Sequence, residues 1–228
     1  MMYFDPRYFL FVGPGLLLGM WAQYKVKSTF HRFSKVGVQS GMTGAEAAAA
    51  VAKAGGADVT IERSKGFLTD HYDPRGKVLR LSQDVYDGRS VSAIAVAAHE
   101  AGHAIQDKKN YAWLGIRSAL VPATQFGSQA WLWIFLGGML LRMPGLQWAG
   151  VLLFGVTVLF QVVTLPTEFD ASNRAKAVLA SSGIVQSEQE AVGVSKVLNA
   201  AAMTYVAGLL ASIGTFLYYL MLVTGRRD

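Results

Sequence analysis

Three long stretches of the chain carry no charged residue, and they constrain its fold more than any other feature. They cover residues 118–141, 143–167 and 197–225, and they are 24, 25 and 29 residues long. A helix needs about 20 consecutive apolar residues to cross a bilayer, so each run is long enough to span a membrane. Because 52% of the residues are hydrophobic and only 16% are charged, the composition also indicates a membrane protein.

A fourth, shorter run extends from Tyr8 to Tyr24, and its 17 residues are at the short end of what crosses a bilayer. Asp5 and Arg7 precede it and no small-residue cleavage site follows, which favours an uncleaved anchor over a signal peptide. The sequence therefore predicts an anchor at 1–24, a transmembrane hairpin at 118–165 and a last transmembrane helix at 197–225.

The distribution of lysine and arginine predicts the orientation. If the N-terminus is outside, 17 of these residues face the cytoplasm and four face outward. The excess of basic residues on the cytoplasmic side favours this orientation. Arg226 and Arg227 argue against it, and a three-span alternative would place them inside.

An H-E-x-x-H motif, His99 to His103, lies in an alanine-rich segment that is predicted to be helical over about 90–107. Ser90 is a plausible N-cap. Because His99 and His103 are four residues apart, both project from one face of the helix and can bind one divalent metal. Glu100 can then act as the general base of a zinc hydrolase.

A catalytic zinc usually has three protein ligands, and Glu168 is the best candidate for the third. Two predicted spans separate it from the histidines, so the chain returns to the same side of the membrane. Ala171 and Ala175 share the helical face of Glu168, and these small residues would allow close packing. Asp170 is predicted to face away, and His71 is a weaker alternative.

Residues 25–117 form the predicted peptidase domain, and 166–196 a third-ligand helix with a polar segment. Thr43 and Glu46 indicate a capping box, and short strands are expected at 58–62 and 77–82. An edge strand could bind an extended peptide through backbone hydrogen bonds, and we assign Val78, Leu79, Arg80 and Leu81 to this role. His71, Tyr72 and Arg174 are candidate donors to the oxyanion or to the substrate.

Four segments of the chain resemble the YugP-type family of bacterial membrane zinc metallopeptidases. They are DHYDPR at 70–75, KVLRLS at 77–82, HEAGHAIQ at 99–106 and EFDASNRA at 168–175. The resemblance implies a gluzincin-like site with Glu168 completing the pair of histidines, and one Zn²⁺ per chain. It extends more distantly to membrane peptidases whose third-ligand helix reads E-x-x-A-D, where Ser172 replaces an aspartate that would support a histidine.

We therefore expect a mainly α, multi-pass protein of the cell membrane: a helical transmembrane bundle with a small α+β, zincin-like domain at the membrane surface. The predicted function is zinc-dependent hydrolysis of peptide bonds in membrane or membrane-proximal proteins, with the active site on the cytoplasmic side. A non-hydrolytic, metal-pinned scaffold or adaptor is the alternative. The expected partners are a protein or peptide substrate and the lipid bilayer. The scattered basic residues do not indicate nucleic-acid binding, and the sequence gives no sign of a homo-oligomer or a regulatory partner.

Overall fold

A computed structural model describes residues 5–66 and 69–225, and it is mostly helical. The helices within these ranges are α1 Pro6–Phe33, α2 Gly44–Ala54, α3 Gln83–Tyr86, α4 Val91–Lys108, α5 Ala112–Leu140, α6 Pro144–Ser181 and α7 Glu188–Thr224. Three strands, β1 Thr60–Ser64, β2 His71–Asp73 and β3 Val78–Ser82, form one small sheet.

Two of the described helices, α6 and α7, are long and apolar enough to cross a membrane. Their most apolar 18-residue windows have mean hydropathies of 2.1 and 2.0. The four-span arrangement stays a prediction. Helix α6 continues through Pro166, so the second apolar run and the segment carrying Glu168 form one helix of 38 residues. A proline removes one helical hydrogen bond, which membrane helices tolerate.

The described residues form two compact units. One unit contains 5–23, 116–165 and 204–225, and glycines bring its helices close together. A Cβ atom at Gly214 would lie 2.1 Å from the carbonyl oxygen of Phe11, and one at Gly15 would lie 2.5 Å from the Cα atom of Ala211. Helices α1 and α7 therefore pack backbone against backbone in this unit, as is common between membrane helices.

The other unit contains 24–66, 69–115 and 166–203. Helices α2 and α4 pack against each other through small, fully buried side chains such as Ala48 and Ala97. The predicted capping box is confirmed, since the Thr43 side chain accepts from the Glu46 backbone and the Glu46 carboxylate accepts from the Thr43 backbone. The capping box fixes where α2 begins, and the packing of small side chains holds the helix beside α4.

The strand order β1-β3-β2 corrects one of our predictions. β3 pairs with β1 in parallel and with β2 in antiparallel orientation, so it is the central strand. The assignment of Val78, Leu79, Arg80 and Leu81 to a peptide-binding edge strand is therefore wrong, because β1 pairs with all four residues and β2 pairs with the first three from the other side. The burial of Val78, Leu79, Leu81 and Ser82, which does not alternate along the strand, is typical of a strand covered on both faces. The free edge nearer to α4 is β2, a strand of three residues between the two strands that the sequence predicts.

Candidate metal centre

Helix α4 presents both histidines of the motif from one face. The Ser90 hydroxyl accepts a hydrogen bond from the Ala93 backbone at 3.3 Å and caps the helix as predicted. The His99 and His103 rings lie edge to face with their centroids 4.8 Å apart. Their spacing is that of residues one helical turn apart, so the helix fixes two of the candidate ligands by itself.

Helix α6 brings a carboxylate to these rings. The Oε2 atom of Glu168 lies 3.1 Å from His99 Nε2 and 3.6 Å from His103 Nε2, and the side chain of Glu168 is only 2% exposed. One ligand atom from each of the three residues lies within 4.8 Å of the other two. Two imidazole nitrogens and one carboxylate oxygen therefore converge, which is a set of ligands that Zn²⁺ prefers.

A glycine permits this convergence. A Cβ atom at Gly102 would lie 2.4 Å from the carbonyl oxygen of Ala171, so α4 and α6 approach more closely than any larger residue at position 102 would allow. Ala171 and Ala175 are fully buried on the same face of α6. The expectation that small residues let the Glu168 helix press against the histidine helix is confirmed.

The remaining ring nitrogens have partners of their own. His99 Nδ1 lies 3.0 Å from the Ser172 hydroxyl, and His103 Nδ1 lies 2.9 Å from the side-chain oxygen of Gln106. Both Nε2 atoms consequently face the Glu168 carboxylate. Such partners on the outer nitrogen are usual around metal-binding histidines, so the residues present fit a zinc ion. Ser172 thus contacts a histidine from the position at which the E-x-x-A-D peptidases have their supporting aspartate.

The electrostatic environment separates Glu168 from Glu100. Burial alone would raise the pKa of the Glu168 carboxyl, but the adjacent His103 and His99 outweigh this effect and hold its pKa below the ordinary value. Burial raises the pKa of Glu100 to about 7, with His99 opposing the shift and the charges of Glu168 and Asp70 adding to it. The lowered pKa of Glu168 favours its anionic form, whereas the raised pKa of Glu100 makes it the better proton acceptor of the two carboxylates.

The β2 edge is fastened at two points. The Asp70 carboxylate accepts from the Ser82 backbone at 2.7 Å, which ties the start of β2 to the end of β3. The Tyr72 hydroxyl donates to Asp107 of α4 at 2.6 Å, and Lys77 pairs with the same carboxylate. Burial and the neighbouring Asp107 raise the pKa of Tyr72 well above its ordinary value, so its hydroxyl keeps its proton. These contacts hold β2 beside the motif helix.

The three candidate oxyanion donors differ in their availability. The Tyr72 hydroxyl is engaged with Asp107, and the Arg174 guanidinium binds Asp170 at 2.5 Å. His71 is exposed, and its Nδ1 atom lies 2.8 Å from the Thr69 carbonyl oxygen. Because a carbonyl only accepts, Nδ1 of His71 is a donor here and Nε2 points elsewhere. His71 is also near enough to Glu100 to oppose the rise in the pKa of that carboxyl group.

Sequence reasoning assigned no role to Gln106 and misplaced Asp170. Gln106 is fully buried, and its amide nitrogen donates to Asp170 at 2.8 Å. The prediction that Asp170 faces away is therefore wrong, because its carboxylate turns toward α4 to accept this hydrogen bond. The available signal was the position of Gln106, three residues after His103 on the same helical face.

Comparisons with known proteins identify the family of the chain. Residues 8–224 match the model of a protein family described as "Putative neutral zinc metallopeptidase". The chain is 48% identical over 212 residues to "Putative membrane protease YugP" of Bacillus subtilis (strain 168), covering 92% of this chain and 94% of the relative. No solved structure matches the chain. The resemblance noted in the sequence is confirmed, and the chain belongs to the YugP-type family of bacterial membrane zinc metallopeptidases.

Proposed function

We propose that this protein is a membrane-embedded, zinc-dependent endopeptidase that cleaves membrane or membrane-proximal proteins. The convergence of His99, His103 and Glu168 carries the proposal, since their ligand atoms lie within 4.8 Å of one another although the third residue is far away in the sequence. Family membership supports the same chemistry. Ser172 and Gln106 support it further, because they occupy the outer ring nitrogens and leave both Nε2 atoms for a metal.

A zinc ion held by these residues would act as a Lewis acid toward the peptide carbonyl and would lower the pKa of an attacking water. Glu100 accepts the proton of that water and then delivers it to the leaving amine. Burial raises the pKa of this carboxyl group above its ordinary value, which favours uptake of that proton. Glu168 stays ionised throughout and balances the positive charge of the ion.

The substrate is proposed to lie along β2. Among the described residues, β2 is the last strand on that side of the sheet, so its outer edge is unpaired. The strand is held against α4 by the hydrogen bond between Tyr72 and Asp107. An extended peptide added there gains backbone hydrogen bonds that do not depend on its side chains. His71, at the start of β2, is proposed as the oxyanion donor because Tyr72 and Arg174 already bind carboxylates.

The proposed topology has four spans: the anchor, the hairpin and the C-terminal helix. The apolar character of α6 and α7 supports the last two of these spans. The 17 basic residues of the segments next to the site support its cytoplasmic location. The site would then meet loops or unfolded segments of proteins at the membrane surface.

Peptide cleavage by Glu100→Gln tests the proposal. The amide keeps the size of the side chain but cannot accept the proton of the water, so zinc content should remain at the wild-type level while cleavage of an unfolded protein substrate is lost. Asp84→Asn, an exposed acidic residue of the same compact unit, is the control and should cleave normally. If wild-type protein binds zinc but cleaves no peptide, the metal-pinned scaffold is the better account. If Glu100→Gln binds zinc and cleaves at the wild-type rate, Glu100 is not the base.

A further inference from the structure

Gln106 connects His103 to the helix that carries Glu168. Its amide nitrogen donates to the Thr167 carbonyl oxygen at 2.7 Å and to Asp170 Oδ2 at 2.8 Å. Its amide oxygen lies 2.9 Å from His103 Nδ1. One fully buried side chain thus contacts a candidate ligand on α4 and, on α6, the backbone immediately before the other candidate ligand.

These partners fix the orientation of the amide. A backbone carbonyl and a carboxylate only accept hydrogen bonds, so the NH₂ group of Gln106 must face Thr167 and Asp170. Its carbonyl oxygen must then face His103, and this oxygen can only accept. The hydrogen of a neutral His103 ring is therefore on Nδ1, and the lone pair of Nε2 faces Glu168.

Asp170 is itself held in place. Its Oδ2 atom also accepts from Arg174 Nε at 2.5 Å, and the Arg174 guanidinium lies over the Tyr111 ring at 5.5 Å from the centroid. A partly buried carboxylate with two donors has little freedom to turn away from Gln106. The orientation of the amide is thus fixed by groups that lie outside the metal site.

We infer that Gln106 is a positioning residue of the metal site. It holds His103 in the tautomer and ring orientation that bind a metal through Nε2, and it ties the Thr167 carbonyl, next to Glu168, to the same amide. This inference rests on the proposed zinc site. Residues that orient metal-binding histidines in this way typically change metal affinity 10–100-fold when they are replaced.

Two quantities are measured in the full-length protein: the zinc affinity, and the NMR signal of the hydrogen on His103 Nδ1. Gln106→Leu, of similar volume but without donor or acceptor, should weaken zinc binding about 10–100-fold in a chelator competition. Nuclear magnetic resonance of the zinc-loaded protein with labelled histidine should show a His103 Nδ1–H signal that is protected from solvent exchange in wild type and lost in Gln106→Leu. A merely structural loss would not remove this signal.

Ser92→Ala is the matched control. Ser92 is on the same helix and is fully buried, and its hydroxyl donates to the Phe30 carbonyl oxygen of α1 at 2.7 Å rather than to a candidate ligand. Its replacement removes a buried hydrogen bond between helices, so stability should fall while zinc affinity and the His103 signal stay unchanged.

A second variant keeps the inference testable if Gln106→Leu does not fold. Gln106→Asn retains an amide but is one methylene group shorter, and it should lose zinc affinity and the protected signal as well. Wild-type protein that binds no zinc would overturn the proposed site itself. If wild-type protein binds zinc and Gln106→Asn binds it as tightly and keeps the His103 signal, only the role of Gln106 is overturned.

Discussion

Replacing Gly102 with alanine should weaken zinc binding without removing any ligand. The added Cβ atom would lie 2.4 Å from the Ala171 carbonyl oxygen, whereas ordinary contacts begin near 3.4 Å, so α4 and α6 must separate by about 1 Å. The histidines move with α4 and Glu168 moves with α6. Because distances from a metal to its ligands tolerate only about ±0.2 Å, a separation of this size disrupts the site.

We expect the zinc dissociation constant of Gly102→Ala to rise at least ~10-fold and turnover to fall about 100-fold. The free energy of unfolding should decrease by about 1–3 kcal/mol, as for other overpacked sites. Chelator competition, peptide cleavage and denaturant titration measure these quantities. The control is Gly115→Ala in α5, where a Cβ atom meets open space and alanine should stabilise the helix by about 0.5–1 kcal/mol. Wild-type zinc affinity in Gly102→Ala would refute the argument that close packing builds the site.

Three further predictions concern the proposed chemistry. His71→Ala should lower kcat about 100- to 1000-fold, as expected for an oxyanion donor, whereas Tyr72→Phe should mainly raise KM because it only loosens β2; equal losses of kcat would contradict the assignment. In zinc-free protein, the Glu100 carboxyl should titrate near pH 7 and be neutral below that pH and charged above it. Zinc should lower this midpoint, because a nearby cation favours the carboxylate. Carbon NMR of labelled glutamate measures the midpoint, and a midpoint that zinc leaves unchanged would count against the placement of Glu100 beside the metal. Free zinc at 1000 times its dissociation constant should stabilise the fold by about 4 kcal/mol, and a melting temperature that chelation leaves unchanged would exclude such coupling.

The parts of the site that local sequence determines were predictable. Ser90 caps α4 and the motif spacing places both histidines on one face, since helical geometry alone decides these features. Glu168 was predictable for a different reason: two predicted spans return the chain to the same side of the membrane, and small residues follow on its helical face. The first prediction depended on the helical periodicity, and the second on the number of predicted membrane crossings and on that same periodicity.

The parts that distant pairing determines were not predictable. The sequence predicts a strand at 77–82, where the structure has β3 at Val78–Ser82. It does not predict that β1 and the three-residue β2 pair with this strand on its two sides. The acceptors of Gln106 lie 61 and 64 residues away, so its role could not be predicted from α4. The burial of Glu190 also depends on a distant residue, since its carboxylate accepts from the backbone of Gln39 and from that of Gln186 at 2.7 Å each.

Zinc content is the most direct test of the account, because every proposed step depends on His99, His103 and Glu168 holding one ion. Elemental analysis of the purified full-length chain should find one zinc per wild-type chain and little or none in Glu168→Ala. Glu62→Ala, which removes an exposed carboxylate from the same compact unit, should retain the wild-type content. If Glu168→Ala keeps a full equivalent of zinc at wild-type affinity, the ion is not held by the carboxylate that α6 supplies, and the proposed active site is wrong.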